Sequence, residues 1–262
     1  MLTVLDLINL STEYLVKKEI ESPRVNAELL LAHTLKCKRL DLYLSYDRPL
    51  SEDEVSIYRE FIKRRSRSEP LQYIIGKVEF YGLEFLVNPS VLIPRPETEI
   101  LVEAILNSVN KNDRIKILDI GVGSGNISVS LAKHLPNSEI TATDLSLPAI
   151  ETAKENAKLN NVLERINFTK QDINVESFSE EKFDIVVSNP PYISKEEFPN
   201  LKDELKVYEP KNALTDFLDG LNYFRIISKK SKSILNKNGK LYFEVGQGQA
   251  EDVKKILSEN NF

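Results

Sequence analysis

The feature of this sequence that most restricts its fold is an alternation of short apolar runs with helical patterns, which begins at Ile115. Residues 126–134 and 148–159 have the apolar periodicity of helices. Strands that alternate with helices in this way form a parallel sheet covered by helices on both faces. We therefore predict an α/β fold for this part of the chain. The predicted strands are residues 115–120, 139–144, 166–170, 183–188 and 241–245.

The pattern of residues 3–75 predicts helices without intervening strands. Val4, Ile8 and Leu15 recur at roughly helical spacing. Ser51 and Glu54 have the spacing of a capping box, in which each side chain bonds the other residue's backbone N–H, and they predict the start of a long helix. Helices of this length are too short to stand alone, so we expect them to pack as a small bundle.

A third pattern joins these two parts. Residues 78–87 alternate around Tyr81-Gly82, which predicts a β-hairpin. The prolines of Pro94-Arg-Pro96 then favour an extended backbone before a helix that starts near Pro96. The predicted parts are a helical bundle at residues 1–76, a hairpin linker at 77–95 and an α/β domain at 96–262.

Composition excludes several classes of protein. No uncharged apolar run approaches the roughly 18 residues of a membrane-spanning helix, so we expect no membrane association. The net charge of −5 argues against a protein that binds nucleic acid along its phosphates. The single cysteine, Cys37, cannot form an internal disulfide, so we expect a cytoplasmic protein. His33 and His134 have no cysteine or histidine at ligand spacing, so we expect no metal site.

The first candidate site is the run Asp119-Ile-Gly-Val-Gly-Ser-Gly125, between a predicted strand and a predicted helix. Glycines allow the backbone to turn tightly and to approach a ligand closely. The N–H groups at the start of the following helix can bind an anionic group. The G-x-G-x-G spacing differs from the dinucleotide fingerprint, and a plain strand-to-helix turn is the alternative interpretation.

Acidic residues follow the next two strands. Asp144 ends the second strand, where a carboxylate can accept both hydroxyls of a ribose, although it could equally cap the next helix. Asp172 and Ile173 follow the third strand. Ligands of open α/β sheets lie across the carboxyl ends of the strands, so this loop can contact a base; a solvated loop acid is the alternative.

The run Asn189-Pro-Pro-Tyr192 directly follows the apolar strand at 183–188. Two prolines fix the backbone, so that the Asn189 side chain and the Pro190 carbonyl point outward with little freedom. Two such acceptors could hold the two N–H bonds of a planar NH₂ group, and Tyr192 could offer it a flat ring. A polyproline ligand or a rigid turn is the alternative.

These motifs resemble those of Rossmann-like S-adenosylmethionine-dependent methyltransferases that act on amide or exocyclic amine nitrogens. Beyond them, nearly the whole chain resembles the release factor glutamine methyltransferase family, most specifically at Arg95-Pro-Glu-Thr98. The further segments that carry this resemblance are Ser22-Pro-Arg24, Ala27-Glu28, Gln72-Tyr-Ile-Ile-Gly76, Phe80-Tyr-Gly82, Leu92-Ile-Pro-Arg-Pro-Glu-Thr-Glu99 and Phe243-Glu-Val-Gly-Gln-Gly248.

The resemblance implies a methyl transfer from S-adenosylmethionine to the glutamine of the Gly-Gly-Gln loop in a peptide chain release factor. It also implies that Asn189, Pro190 and Tyr192 act in catalysis, that these residues and Pro191 hold the glutamine, and that the helical bundle docks the release factor. The residues that it assigns to the cofactor are Gly121, Val122, Gly123, Ser124, Gly125, Asp144, Asp172, Ile173 and Asn189.

Other expectations follow from the same resemblance. Family members usually continue with two further strands, so we expect the sheet here to lack its last two. We expect a monomer, and the basic cluster at Lys63, Arg64, Arg65 and Arg67, otherwise a solvated helix face, could contact the partner. The alternative substrates are a ribosomal protein glutamine or the exocyclic amine of a nucleic acid. A non-catalytic cofactor-binding protein is the third alternative.

Overall fold

The computed structural model describes residues 2–175 and 181–262. The chain divides into two compact units, Met1–Gly76 and Lys77–Phe262. Among the described residues, no helix has both the length and the apolar character that crossing a membrane requires.

The first unit is helical, as predicted. Thr3 and Ser51 begin two of its helices, and each exchanges hydrogen bonds with an acidic residue three positions later, so that both ends are capping boxes. The buried ring of Tyr58 packs in the core of the unit, and its hydroxyl donates to the Ala27 carbonyl at 3.2 Å. The helices are α1 (Val4–Val16), α2 (Pro23–Leu35), α3 (Arg39–Tyr43), α4 (Glu52–Arg65) and α5 (Leu71–Ile75).

The basic cluster at the end of α4 is only partly the solvated face that we expected, because Lys63 and Arg67 are exposed but Arg65 is buried. Arg65 is only 4% exposed, and its guanidinium donates to Asn26 Oδ1 at 2.7 Å and to the Glu69 carbonyl at 2.8 Å. Arg64 bonds both carboxylate oxygens of Glu69 at 2.9 and 2.5 Å. The expectation of a solvated face is therefore wrong for Arg65, which anchors α4 to α2.

The second unit opens with the predicted hairpin of β1 (Lys77–Phe80) and β2 (Leu83–Leu86). Tyr81 and Gly82 both have positive φ, which suits a two-residue turn between antiparallel strands. The hairpin, which we expected as a linker, is part of this unit. The backbone of Leu86 exchanges two hydrogen bonds with the Asn156 side chain, at 2.6 and 2.9 Å.

The rest of the unit is a five-stranded sheet whose strands are all parallel, which confirms the predicted α/β fold. Its order is β5-β4-β3-β6-β7. From β3 the chain continues to β4 and β5 on one side of the sheet, and then to β6 and β7 on the other side. The connections after β3 and β6 therefore lead away from each other, and a crevice opens between these two strands at their carboxyl ends. The elements are α6 (Pro96–Asn107), β3 (Lys116–Ile120), α7 (Asn126–His134), β4 (Glu139–Asp144), α8 (Leu147–Leu159), β5 (Ile166–Lys170), β6 (Phe183–Ser188), α9 (Asp203–Tyr208), α10 (Lys211–Leu214), α11 (Asn222–Ile234), β7 (Leu235–Phe243) and α12 (Ala250–Glu259).

Apolar side chains cover both faces of this sheet. Ile117 and Val187 belong to the cluster on one face, whereas Leu118, Ile120 and Val186 belong to the cluster on the other. The side chains of both clusters are almost inaccessible to solvent. Strands buried on both faces need apolar residues at successive positions, which explains the nearly continuous apolar sequences of the central strands β3 and β6.

The last strand differs from its prediction. β7 begins at Leu235 and ends at Phe243, whereas the sequence predicted residues 241–245. Its first half is polar and irregular, with Asn238 at positive φ and a shift in register opposite Phe183 and Ile185. Because this first half has no apolar pattern, the sequence did not predict where the strand begins. Glu244 directly follows the last residue of the strand.

Candidate cofactor and acceptor site

A cleft lies at the carboxyl ends of the strands in the second unit. Its volume is about 1090 Å³ with the open mouth included, a size that suits a nucleoside-like ligand. Among the described residues, Gly125 and Tyr192 are the two predicted site residues that do not line it. The predicted residues that do line the cleft are Gly121, Val122, Gly123, Ser124, Asp144, Asp172, Ile173, Asn189, Pro190 and Pro191.

The glycine loop joins β3 to α7 and is fastened to the neighbouring strand. The N–H groups of Gly121 and Val122 both donate to the Thr143 carbonyl, at 2.8 and 2.9 Å. Gly121, Gly123 and Gly125 have φ values of +80°, +53° and +82°, a conformation that favours glycine. Within the described part of the chain, no side chain caps α7 at Gly125, so its first turn can offer N–H groups to a ligand.

Gly125 has a different role from the other two glycines. A Cβ atom placed there would lie 3.1 Å from the Ala153 Cβ, which is tighter than ordinary contact. Gly125 therefore allows the start of α7 to pack closely against α8, behind the cleft and not in it.

Asp144 ends β4 and is held in one orientation. Its Oδ2 accepts from the Gly123 N–H at 3.0 Å, and its Oδ1 accepts from the Ser146 N–H at 2.8 Å. Burial raises the pKa of Asp144, against the effect of these hydrogen bonds. A carboxylate has about four acceptor positions, so both oxygens retain capacity for the hydroxyls of a ligand.

The loop after β5 forms another wall of the cleft. Asp172 Oδ1 accepts from the backbone and side chain of Asn174, both at 2.9 Å, which fixes this tight turn. The buried Ile173 side chain packs with Leu118 and Ile120. The loop therefore combines an apolar surface with a fixed acidic group.

Asn189, Pro190 and Pro191 follow β6 on the other side of the crevice. The preceding residue, Ser188, is buried and donates to the Ile120 carbonyl at 2.6 Å, which joins the ends of β6 and β3. Asn189 Nδ2 donates to the Thr98 hydroxyl at 3.3 Å. These contacts place the Asn189 side chain at the cleft with its amide already oriented.

Tyr192, which the sequence predicted as a site residue, does not line the cleft. Its carbonyl accepts from Gln249 Nε2 at 2.8 Å, and its ring packs against the cluster that includes Phe224 and Val253. Burial and the nearby Glu244 raise the pKa of the Tyr192 hydroxyl. Tyr192 is therefore close to Asn189 in sequence but is held by the α11–α12 side of the unit.

Two buried acids near the site were not predicted. Asp119 Oδ2 accepts from the Ser128 hydroxyl at 2.6 Å, while Oδ1 is buried without a hydrogen-bond partner in the structure. Burial raises the pKa of Asp119 to about 7. Glu209 pairs with Arg95 and accepts from the Ile93 N–H at 3.1 Å, and burial raises the pKa of Glu209 in spite of this pairing.

No local signal in the sequence marks Glu209, because its partners Ile93 and Arg95 lie more than a hundred residues earlier. Asp119 belongs to the glycine run, but only the structure shows that it is fully buried. The described residues hold no group of three or more histidines, cysteines and acids that could bind a metal ion.

The cleft fits S-adenosylmethionine in its chemistry. The orphan N–H groups at the start of α7 suit a carboxylate, the fixed carboxylate of Asp144 suits ribose hydroxyls, and the side chain of Ile173 suits a flat apolar base.

Comparison with known proteins gives two matching families, one for each unit. The family described as "PrmC N-terminal domain" matches residues 6–76. The family described as "Methyltransferase small domain" matches residues 96–214, which include the glycine loop and the Asn189–Tyr192 run.

Full-length relatives are also similar. The release factor glutamine methyltransferase of Fusobacterium nucleatum is 43% identical over 98% of this chain and 73% of its own length. That of Chlorobaculum tepidum is 39% identical over 98% of this chain and 90% of its own. A solved S-adenosylmethionine-dependent methyltransferase from Agrobacterium tumefaciens shares the fold, with a TM-score of 0.52 and 19% identity over 70% of this chain and 57% of its own.

A methyltransferase domain on this parallel sheet, with its cleft at the switch point, defines an enzyme of the S-adenosylmethionine-dependent methyltransferase class. Because the relatives match both units over almost the whole chain, the class can be narrowed. The chain belongs to the release factor glutamine methyltransferase family.

Proposed function

We propose that this enzyme methylates the side-chain amide nitrogen of the glutamine in the Gly-Gly-Gln loop of a peptide chain release factor. The observation that carries the proposal is the position of Asn189 and Pro190, which line the same cleft as the glycine loop and Asp144. The names of the full-length relatives support the choice of a release factor as the substrate.

An amide nitrogen is a weak nucleophile because its lone pair is delocalised into the carbonyl. The bound cofactor supplies an electrophilic methyl group on a sulfonium. The protein must therefore hold the nitrogen in line with that methyl group at near-attack distance. We assign this task to Asn189 Oδ1 and the Pro190 carbonyl, which accept the two N–H bonds of the glutamine and stabilise positive charge that grows on its nitrogen.

The backbone around these acceptors supports the assignment. Pro190 and Pro191 restrict the chain directly after β6, and Ser188 is bonded to the end of β3. Tyr192 keeps its proposed role as a flat surface for the target amide, which requires the glutamine to reach beyond the residues that line the cleft.

We assign the cofactor to the other side of the cleft. The glycine loop, Gly121 to Gly125, and the first turn of α7 would hold its carboxylate. Asp144 would accept the ribose hydroxyls, and Asp172 with Ile173 would contact the adenine. Gly125 would contribute through the close packing of α7, since it does not line the cleft.

We propose that the first unit docks the release factor. Two apolar side chains, Leu40 in α3 and Leu44 directly after its last residue, are 74% and 88% exposed and have the spacing of one helix face. Arg64 would add to this contact only if its ion pair with Glu69 were replaced by a contact with the release factor. Because release factors act in translation, we place the enzyme in the cytoplasm, where we expect it to act as a monomer.

The alternatives are a ribosomal protein glutamine and the exocyclic amine of a nucleic acid. An Asn189→Ala variant, assayed with a release factor, a ribosomal protein and an oligonucleotide, tests the proposal. We expect wild-type transfer to the release factor alone. In the variant, cofactor affinity should stay within about threefold while the transfer rate falls by about 100-fold. Unchanged transfer in the variant would remove the proposed role of Asn189.

A further inference from the structure

The amide of Asn189 is the first member of a hydrogen-bonded triplet, which we define as Asn189, Thr98 and Glu244. Asn189 Nδ2 donates to Thr98 Oγ1 at 3.3 Å, and the Thr98 hydroxyl donates to Glu244 Oε2 at 2.6 Å. Thr98 is 91 and 146 residues from its two partners, so only the fold brings the triplet together.

Each member of the triplet has a fixed position. Thr98 is 1% exposed and lies in the first turn of α6, where its N–H donates to the Arg95 carbonyl at 3.1 Å. Glu244 follows β7, and its N–H donates to the carbonyl of Ser188, the residue before Asn189, at 3.1 Å. The start of α6 and the ends of β6 and β7 therefore converge on one side chain.

The chemistry of the triplet defines its direction. Burial raises the pKa of Glu244, while side-chain hydrogen bonds from Thr98 and from Asn189 lower it. In its ionised form the Glu244 carboxylate can only accept, so it takes the proton of the Thr98 hydroxyl and also favours the NH₂ end of Asn189 on its side. The oxygen of Thr98 then has only lone pairs to offer Asn189, and the NH₂ end of the amide is the end that can donate to them. A flipped Asn189 would place Oδ1 against those lone pairs. The same flip would present an NH₂ group to the NH₂ of the target amide.

We propose that Thr98 and Glu244 are positioning residues that set the direction of the Asn189 amide, so that Oδ1 is the atom presented to the acceptor nitrogen. This inference rests on the proposed function, because it takes Asn189 as the residue that holds the target NH₂. It gives a physical reason why the Arg95–Thr98 run and the segment after β7 belong to the same site as Asn189.

Thr98→Val and Thr98→Ser test the proposal. Valine keeps the shape of threonine and removes the hydroxyl, whereas serine keeps the hydroxyl. In methyl transfer to a release factor, we expect Thr98→Val to lower kcat by about 100-fold, because a displacement of about 1 Å in a catalytic group has an effect of this size. The KM for the release factor and the Kd for cofactor should stay within about twofold, since the docking proposed for the first unit and the cofactor contacts assigned to the glycine loop and Asp144 are unchanged. Thr98→Ser should restore kcat to within about threefold of wild type.

Thr152→Val is a matched control. Thr152 is 3% exposed, its hydroxyl donates to the Pro148 carbonyl at 3.0 Å, and it accepts from Asn88 Nδ2 at 3.0 Å. It therefore has the same burial and the same donor and acceptor roles as Thr98, but it does not line the cleft. We expect its kcat to stay within about twofold of wild type. Equal losses in Thr98→Val and Thr152→Val would overturn the proposal.

Glu244→Gln tests the direction of the hydrogen bonds in the triplet. A glutamine can donate as well as accept, so the Thr98 hydroxyl is no longer forced to donate. We expect kcat to fall by about 10-fold with little change in KM. A Thr98→Ser variant as slow as Thr98→Val, or a Glu244→Gln variant with wild-type kcat, would contradict the inference.

Nuclear magnetic resonance separates this inference from the proposed function. The Asn189 side-chain NH₂ of the wild-type protein should show the temperature dependence of a hydrogen-bonded amide. Thr98→Val should weaken that signature, with the Glu244 carboxylate left as the remaining acceptor. This readout needs no release factor. A hydrogen-bonded amide in a protein that methylates no release factor would leave the triplet intact and remove the proposed substrate. An amide without that signature in the wild type would remove the triplet.

Discussion

The backbone N–H of Gly123 donates to Asp144 Oδ2 across 3.0 Å, and this bond links the glycine loop to the end of the next strand. The loop and the acid are therefore one preformed arrangement, which holds two of the groups assigned to the cofactor at a fixed spacing. A ligand that bonds both would bind without reordering either of them.

The first prediction concerns Asp144. In Asp144→Asn, one carboxylate oxygen is replaced by an NH₂ group that faces a backbone N–H donor. Since a charged hydrogen bond contributes about 1.5–3 kcal/mol, we expect the Kd for S-adenosylmethionine to rise by about 10- to 100-fold. Calorimetric titration measures this change. Asp113→Asn, in the turn before β3, is the control and should bind as wild type does.

The second prediction compares two glycines of one loop. Gly121 and Gly125 have nearly equal φ values, +80° and +82°, so alanine is strained equally at both. An added Cβ meets nothing within 4 Å at Gly121 but lies 3.1 Å from the Ala153 Cβ at Gly125. We expect Gly125→Ala to lower the free energy of unfolding by about 1–3 kcal/mol more than Gly121→Ala does.

Urea unfolding followed by circular dichroism measures the difference between these two variants. Gly121→Ala should instead weaken cofactor binding, because Gly121 lines the cleft. Equal stabilities of the two variants would show that α7 can move away from α8 without cost.

The third prediction is a pH dependence that arises from Asp119. The unfolded chain releases this proton near the ordinary pKa of 3.8, while the folded chain holds it up to about 7. Between these values the folded state binds more protons, so the contribution of Asp119 to stability falls as the pH rises. The slope is at most about 1.4 kcal/mol per pH unit.

An Asp119→Asn variant lacks this titration. We expect its free energy of unfolding, relative to that of wild type, to increase from about pH 4 to about pH 7 and to level off above that. Urea unfolding at several pH values measures the difference. A difference that is constant with pH would mean that Asp119 is ionised in the folded protein throughout this range.

The fourth prediction concerns the ion pair of Arg95 and Glu209. The Glu209 side chain is 1% exposed, whereas that of Arg95 is 30% exposed. Arg95→Met would leave a buried carboxylate without its partner. We expect a loss of about 3 kcal/mol in the free energy of unfolding, the lower end of the range for a broken buried pair, because Arg95 is partly exposed. The double variant Arg95→Met/Glu209→Gln should recover part of this loss, because the amide needs no counter-charge. A double variant less stable than Arg95→Met would contradict this explanation.

Local patterns predicted much of the fold. The hairpin was predicted because Tyr81-Gly82 is a turn between alternating residues, and helix α7 was predicted with the bounds that the structure has. β7 was misplaced because its polar first half, with Asn238 in a left-handed conformation, has no apolar pattern. The prediction was right where neighbouring residues in the sequence specify the element, and it was wrong where they do not.

The site shows the same limit. Its glycine loop, Asp144 and Asn189 could be predicted because each lies at the carboxyl end of a strand or directly after it. Parallel strands bring their carboxyl ends to one edge of the sheet. The contacts of Thr98 with Asn189 and Glu244 could not, since they depend on how distant elements pack. The burial of Arg65 was missed for a related reason, because its acceptor Asn26 lies on another helix.

The most direct test of the proposed substrate is methyl transfer from labelled S-adenosylmethionine to a purified bacterial release factor. A release factor in which the glutamine of the Gly-Gly-Gln loop is replaced by alanine serves as the comparison. The account predicts label on the first protein and none on the second, with loss of label when the enzyme carries Asn189→Ala. Equal label on both release factors, or label on neither while the enzyme binds cofactor, would contradict it.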